Sequence, residues 1–167
     1  MKILFRGTRL IGIATDDYTG PESFINAPDD FDPARLDECR IENGRLVMPP
    51  DPDPWQVARN KLALKRYEHE TGGIVIGGAR IATDRQSQAL ITGAYTYSLL
   101  NPSVLIDWKN ADGTWTKINA TTIAGIANAV AAHVQACFSH ERALSDLINA
   151  AETAQDLASI NLEEGWP

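Results

Sequence analysis

Short apolar runs separated by turn residues occupy the first fifty positions of the chain. Residues 2–5 (KILF) and 9–15 (RLIGIAT) are two such runs, and their connection through Arg6-Gly7-Thr8 predicts a β-hairpin. Residues 39–49 (CRIENGRLVMP) predict a second hairpin, because Asn43-Gly44 stands between two apolar runs at a position that suits a tight turn. The chain therefore begins with β structure.

The segment between these hairpins carries few regular signals. Residues 16–32 are expected to form a loop, since Gly20-Pro21 and Pro28 interrupt them. Asp32-Pro33 predicts the start of a short helix, with aspartate as the N-cap and proline in the first helical position. Together these elements predict a small β-rich module over residues 1–48.

A helical pattern follows the stretch PPDPDP at 49–54, which is predicted to be a stiff, extended linker. Asp53 and Pro54 suit the N-cap and the first helical position, and Gln56 is placed to reach back to the cap. The helix is predicted to continue to about Glu70 and to end at Gly72-Gly73. Its packing stripe is predicted from apolar spacing to contain Val57, Leu64 and Tyr67, with Trp55, Ala58 and Leu62 beside it.

Two glycine pairs follow within residues 70–86 (ETGGIVIGGARIATDRQ). Their spacing fits neither a dinucleotide fingerprint nor a phosphate-binding loop, and the lysine of the latter is missing. The pattern instead predicts a hairpin over residues 74–81 that turns at Gly77-Gly78. Thr83 is predicted to cap the next helix, with Gln86 as the third residue, and this helix ends before Pro102.

The runs SVLIDWK (103–109) and TWTKIN (114–119) predict a second hairpin in this half of the chain. Asn110-Ala111-Asp112-Gly113 suits a type I turn with a glycine bulge between them. Trp108 and Trp115 are favoured as core residues of this small sheet. The alternative is a glycan-binding aromatic platform, which depends on the strand register that places the two rings.

The longest helix is predicted from Asn119 or Thr121 to about Ala151. Its apolar residues recur every three or four positions, with one interruption at Glu141, and form a seam, which consists of Ile123, Ile126, Val130, Val134, Cys137, Leu144, Ile148 and Ala151. A seam of this length predicts packing against a partner helix, either within the domain or in an oligomer. The candidate interface residues are Ile126, Val130, Val134, Leu144 and Ile148. A last short helix is predicted with Thr153 as N-cap and Asp156 in its first turn, and Trp166 is expected to dock on the core.

Length and charge narrow the class of protein. The chain has 167 residues, enough for one domain or two small ones, and its net charge is −7. Residues 1–54 carry eleven acidic and six basic side chains, against eleven and nine in residues 55–167. An acidic surface gains nothing from nucleic acid or an anionic membrane, so neither is expected as a partner. Cys39 and Cys137 are expected to be free thiols, and Arg6 and Arg9 interrupt the apolar run that a signal peptide needs.

Candidate chemistry is sparse. His133, Cys137 and His140 share one helical face, and zinc could use such a trio. A fourth ligand is not evident, and Cys137 lies on the apolar seam, so a core cysteine is favoured and no metal or cofactor is expected. The sequence has no nucleophile elbow, Ser/His/Asp set or paired carboxylates in a defined context. We therefore expect no enzymatic activity.

The order of several short motifs resembles an uncharacterised domain of tailed-phage tail proteins. The motifs are the paired glycine, IATDRQSQ at 81–88, W-x-x-ADG-x-W at 108–115, HVQACF at 133–138 and the terminal GWP. This resemblance covers about residues 56–167. The opening MKILFRGTRLIGIATDDYTG is similar to the first module of short proteins encoded beside tail-fibre genes.

The resemblance implies a virion tail context and supplies no catalytic residues. The combined expectation is an α+β protein with an acidic attachment module at 1–48, a linker at 49–54 and a tail-type domain at 55–167. It is expected to be made in the host cytoplasm and to join the tail, attaching or decorating a tail fibre or receptor-binding protein at the baseplate. A homo-oligomer, with a trimer favoured, is expected. The alternatives are a tail-fibre assembly chaperone and a glycan-recognising or glycan-cleaving accessory at the tail tip.

Overall fold

The structure is a computed structural model that describes residues 1–110 and 113–167. The chain divides into two compact units, Met1–Pro52 and Asp53–Pro167, with the boundary inside the predicted linker. Helix accounts for 46% and strand for 22%, with the β-rich part first and the long helix last, so the predicted α+β class is confirmed.

Unit 1 is built on a three-stranded antiparallel sheet. Its strands are β1 (Lys2–Arg6), β2 (Arg9–Ala14) and β3 (Ser23–Asn26), in the order β2-β1-β3. The fully buried Ile3 pairs with Ile13 on one side and Ile25 on the other. The prediction of a loop over the whole of 16–32 was wrong, because β3 is completed by hydrogen bonds to the free edge of β1 rather than by a local pattern.

The rest of unit 1 follows its sequence signals. Asp32 accepts a hydrogen bond from the Ala34 amide and begins a 3-10 helix over Pro33–Glu38. Strands β4 (Arg40–Glu42) and β5 (Arg45–Val47) form the predicted second hairpin. Asn43 and Gly44 both have positive φ, 51° and 73°, a backbone conformation that Asn and Gly adopt with little strain.

The described residues of unit 2 form four helices and two hairpins. After α1 (Pro54–Thr71) come β6 (Ile74–Ile76) and β7 (Ala79–Ile81), then α2 (Arg85–Leu100), β8 (Leu105–Lys109), β9 (Trp115–Asn119), α3 (Ala120–Ala150) and α4 (Ala154–Ala158). Both predicted hairpins are confirmed as antiparallel pairs. The Asn110–Gly113 turn lies partly outside the described residues, since it includes Ala111 and Asp112.

Three of the helix starts agree with the sequence, and one is shifted. Asp53 caps α1 through the Trp55 amide, Asn119 caps α3, and Thr153 with Asp156 forms a full capping box on α4. The predicted reach of Gln56 back to its cap was wrong, because its amide bonds Asn60 Oδ1 at 2.9 Å.

The cap of α2 is Asp84, not Thr83. The Asp84 carboxylate accepts from the amides of Gln86 and Ser87, each at 3.0 Å. A carboxylate at this position also interacts favourably with the positive end of the helix dipole. Thr83 is buried one residue earlier, where its hydroxyl is used to join other elements.

The buried face of α1 differs from the predicted stripe. Val57, Leu64 and Tyr67 are exposed, whereas Leu62 is buried. Leu62 packs in a cluster with Leu144, Ile148 and Leu162, and Trp55 and Ala58 pack against this cluster. The two stripes have similar apolar content, and the position of α3 decides which of them becomes buried.

The seam of α3 is used within one chain. Ile126 and Val130 lie in a core with α2 and both hairpins, and Val134 packs against its edge. Leu144 and Ile148 lie in the second core, with α1 and the C-terminal segment. Of the two arrangements predicted for the seam, the structure therefore shows packing against other elements of the same domain. Four of these five candidate interface residues are at most 8% exposed, so an oligomer, which stays a prediction, would have to use other surface.

No helix in the described residues is both long and apolar enough to cross a membrane.

We expect Gly125→Ala to stabilise unit 2. Gly125 is an exposed position inside α3, and a Cβ placed there meets no atom within 4 Å. Alanine loses less backbone entropy than glycine on folding, so the gain should be roughly 0.5–1 kcal/mol. Thermal unfolding followed by circular dichroism measures it. The matched control is Gly77→Ala, at φ 57° in the β6–β7 turn, which should destabilise; a loss of stability in Gly125→Ala would contradict the prediction.

Candidate functional site

An apolar groove lies between α2 and the β8–β9 hairpin and has a volume of about 650 Å³. Its α2 wall includes Leu90, Gly93 and Tyr97, and its hairpin wall includes Trp108 and Trp115. Leu90, Tyr97 and Trp115 are 60%, 53% and 69% exposed. We call this feature the α2 groove.

The strand register decides the question of the two tryptophans. Trp108 is opposite Thr116, and Trp115 is opposite Lys109, so the two rings project from opposite faces of the hairpin. Trp108 packs against the core, as the sequence favoured. The same prediction for Trp115 was wrong, because its side chain is on the other face of the hairpin and is exposed. Both border the α2 groove, but their rings do not share one face of the hairpin, because adjacent strand positions alternate between faces. Glycan binding by these two residues stays a prediction.

The α2 wall continues as an exposed apolar stripe. Leu90, Gly93, Tyr97 and Leu100 are spaced by three, four and three residues, which places them on one side of the helix. The opposite side carries Ile91, Ser98 and the partly buried Ala94 and Tyr95. Between Gln86 and Leu100 the sequence has no charged residue. The helix therefore presents an uncharged apolar flank to the solvent as well as an apolar face to the core.

A buried carboxylate fixes the start of α2. Glu70, at the end of α1, is fully buried and forms a short contact with Arg66 Nη1. From α2, Arg85 Nη2 lies 3.2 Å from the same carboxylate, and Gln88 Nε2 donates to Glu70 Oε1 at 3.2 Å. The carboxylate thereby links the C-terminal turn of α1 to the first turn of α2, and it sets the direction in which α2 leaves.

Thr83 completes this junction. Its buried hydroxyl donates to the Glu70 carbonyl at 2.6 Å and accepts from the Gly73 amide at 2.9 Å. Gln88 also donates to the Thr83 carbonyl at 2.7 Å. The Glu70 carbonyl and the Gly73 amide, backbone groups at the end of α1 and just beyond it, are thus both satisfied by one hydroxyl that lies after the β6–β7 hairpin. Sequence reasoning missed this role, for which the only signal was a threonine beside a stronger capping residue.

The C-terminal segment is held against α1 and α3 by a second set of contacts. The Trp166 ring stacks on His69 at a centroid distance of 5.1 Å and meets His140 edge-on at 4.6 Å. Trp166 Nε1 donates to the Leu162 carbonyl at 3.1 Å, and His140 Nε2 lies 3.0 Å from the Glu164 carbonyl oxygen. The expectation that Trp166 docks on the core is confirmed.

Charged groups add to this attachment. Lys61 and Lys65 of α1 reach Glu163 at 2.9 and 2.8 Å. Hydrogen bonds from Lys65 and then Lys61 hold the pKa of the Glu163 carboxyl below its usual value. Both ion pairs are accessible to solvent, so they contribute little to the stability with which the segment is held.

The zinc-like trio of α3 is engaged in packing. His133 Nε2 lies 3.1 Å from the His69 carbonyl oxygen and 3.9 Å from Cys137 Sγ. His140 contacts Trp166 and the Glu164 carbonyl instead of joining the other two. Over the ranges 1–110 and 113–167, no group of three His, Cys, Asp or Glu side chains is arranged to hold a metal ion.

We expect Cys137 to resist alkylation while unit 2 is folded. Its side chain has no exposed surface, and burial, together with the nearby Glu70 charge, raises the pKa of the thiol. Because the thiolate is the reactive form, both effects slow the reaction. Mass spectrometry of iodoacetamide-treated protein should show labelling of the partly exposed Cys39 first and of Cys137 only with denaturant. Labelling of Cys137 as fast as Cys39 in native buffer would contradict this.

The sequence of unit 2 matches a known family. The family model described as a domain of unknown function (DUF4376) matches residues 55–161. The chain belongs to this family. The match confirms the coarser part of the resemblance, which is an uncharacterised domain over this region, and the DUF4376 region begins with α1 and ends after α4.

No curated protein and no solved structure matches the chain. The DUF4376 region contains the whole α2 groove and the Glu70 junction, whereas Trp166 lies beyond its end. The groove is therefore a feature of the family region rather than of unit 1.

Proposed function

We propose that the chain is a structural component of a phage tail, which attaches or decorates a tail fibre or receptor-binding protein at the baseplate. In this role it is made in the host cytoplasm, acts in the virion as a homo-oligomer, with a trimer favoured, and performs no catalysis. The observation that carries the proposal is the α2 groove, an exposed apolar surface on a unit that is joined to a second unit through a Pro/Asp stretch.

Two features support an assembly role. Exposed apolar grooves of this kind are typical of protein contacts, because a monomer in water gains nothing from exposing them. The motif order from IATDRQSQ to GWP supports the tail context through its resemblance to tail proteins. The GWP residues also make the contacts that hold the C-terminal segment, so this part of the resemblance falls on residues with a structural role.

The test is quantitative mass spectrometry of washed particles of a phage that encodes this chain, with the major capsid protein as internal standard. A small fixed copy number, such as about three or six per particle, is the expected result for a closed oligomer on the tail. Absence from the particle, combined with recovery bound to a fibre protein in the lysate, would replace the proposal by the chaperone alternative. Absence from both would remove the tail assignment.

A further inference from the structure

We propose that the α2 groove is where a second copy of this chain docks, so that α2 and the β8–β9 hairpin form the oligomer interface in place of the α3 seam. The inference deepens the oligomer part of the proposed function. It depends on the groove itself and not on the tail context, so the two can fail separately.

The first argument is the amount of apolar surface. Leu90, Tyr97, Leu100 and Trp115 are all more than half exposed, with Leu100 reaching 79%. Large aromatic side chains alone carry about 150–250 Å² each, so the set exposes on the order of several hundred Å². That is a large share of the roughly 800 Å² per partner that a stable interface buries. Tyrosine and tryptophan are also the residues that most often dominate the energy of such contacts.

The second argument is charge. The chain has a net charge of −7, and residues 55–167 carry eleven acidic and nine basic side chains, so a contact between two copies of unit 2 generally brings charged side chains into the interface. The α2 stripe is the exception, since residues 86–100 have no charged side chain. The α2 stripe can therefore be placed against a second copy without burying a charge of its own, and the core of an interface is depleted of charge for this reason.

A comparison with α1 shows that apolar exposure alone does not distinguish α2. Val57, Leu64 and Tyr67 of α1 are also about half exposed or more. On α1, however, the exposed residues are interspersed with Arg59, Lys61, Lys65 and Glu68. Desolvating those charges against a second copy would be costly. The α2 stripe does not carry this cost.

The shape of the groove also suits a helix or strand of a second copy. Gly93 lies in the middle of the α2 wall, and a Cβ at this position would meet no atom within 4 Å. The missing side chain lets another backbone approach closely between Leu90 and Tyr97. Arg80, Lys109 and Asp107, which also line the groove, supply both signs of charge for polar contacts beside the apolar ones.

The experiment is sedimentation velocity with light scattering on the purified full chain over a concentration series. We expect the native chain to form a dimer or trimer. Leu90→Glu, which places a carboxylate on every copy at the contact, should shift the protein to monomer and weaken association at least tenfold. Tyr97→Glu should do the same, and far-UV circular dichroism checks that each variant is folded.

Leu64→Glu is the matched control, because Leu64 is 64% exposed on α1 and Leu90 is 60% exposed on α2. It should associate like the native chain. Three results would each overturn the inference: a native chain that stays monomeric at all concentrations, association that survives both groove variants, or equal loss in Leu64→Glu. A monomeric chain in a particle that still contains it in fixed copy number would leave the tail proposal standing and assign the groove to a segment of another tail protein.

Discussion

Glu70→Gln is expected to destabilise unit 2 by about 3–5 kcal/mol, the usual cost of removing one partner from a buried ion pair. Glutamine keeps the shape of the side chain but removes the charge that Arg66 and Arg85 share. Arg66 is mostly buried, and its Nε, 3.3 Å from Glu141 Oε2, makes no hydrogen bond to any described residue. The remaining guanidinium therefore loses its main partner. Urea unfolding followed by far-UV circular dichroism measures the change.

Glu68→Gln is the control for this prediction. Glu68 lies on the exposed side of the same helix, and its contact with Lys65 at 3.4 Å is a surface ion pair. Such pairs contribute about 0–1 kcal/mol, so its loss should be small. Equal and small effects at both positions would show that Glu70 does not join α1 to α2 as described. The loss expected for Glu70→Gln is a large fraction of the free energy of unfolding of a domain, which is roughly 5–15 kcal/mol.

Trp166→Ala should destabilise the second core by about 2–4 kcal/mol. The substitution removes the stack on His69, the edge contact with His140 and the hydrogen bond to the Leu162 carbonyl. It also uncovers the cluster of Leu62, Leu144 and Ile148 against which the ring packs. Thermal and urea unfolding of the full chain give the free energy of unfolding.

Two other substitutions locate the cause of that loss. Trp166→Phe keeps an aromatic ring between the histidines but removes the hydrogen bond to the Leu162 carbonyl. It should therefore lower the free energy of unfolding by only about 1 kcal/mol. Tyr67→Ala removes an aromatic side chain that is 49% exposed on α1, outside the α2 groove, and should leave stability within about 0.5 kcal/mol of the native value. If Trp166→Ala were as mild as Tyr67→Ala, the C-terminal segment would contribute little to the fold.

Local signals in the sequence predicted most of the fold. The turns at Asn43-Gly44 and Gly77-Gly78 and the caps at Asp53, Asn119 and Thr153 depend on residues close in sequence. Their geometry is decided by backbone preference and by one or two hydrogen bonds, which neighbouring residues supply.

Features decided by distant contacts were missed or wrong. Strand β3 exists because β1 offers a free edge, and the buried face of α1 is chosen by α3. Asp84 rather than Thr83 caps α2, because the Thr83 hydroxyl is hydrogen-bonded to the Glu70 carbonyl and the Gly73 amide. In each case a partner far along the chain outweighs the local pattern.

The candidate site was the least predictable part. The groove requires the β8–β9 register and the direction of α2, neither of which is encoded near Leu90 or Tyr97. The one signal available was the absence of charge over residues 86–100, which the helical spacing alone does not explain. A surface helix normally carries charged residues on its outer face.

Helix α3 is the shared element of both cores, since Ile126 and Val130 belong to one and Leu144 and Ile148 to the other. At 31 residues it is about 46 Å long, and it has no break between the two clusters. Neither core can open completely while α3 stays in place against the other. Amide hydrogens along the middle of α3 should therefore exchange with solvent deuterium only when the whole unit opens, which makes this helix the slowest-exchanging part of unit 2.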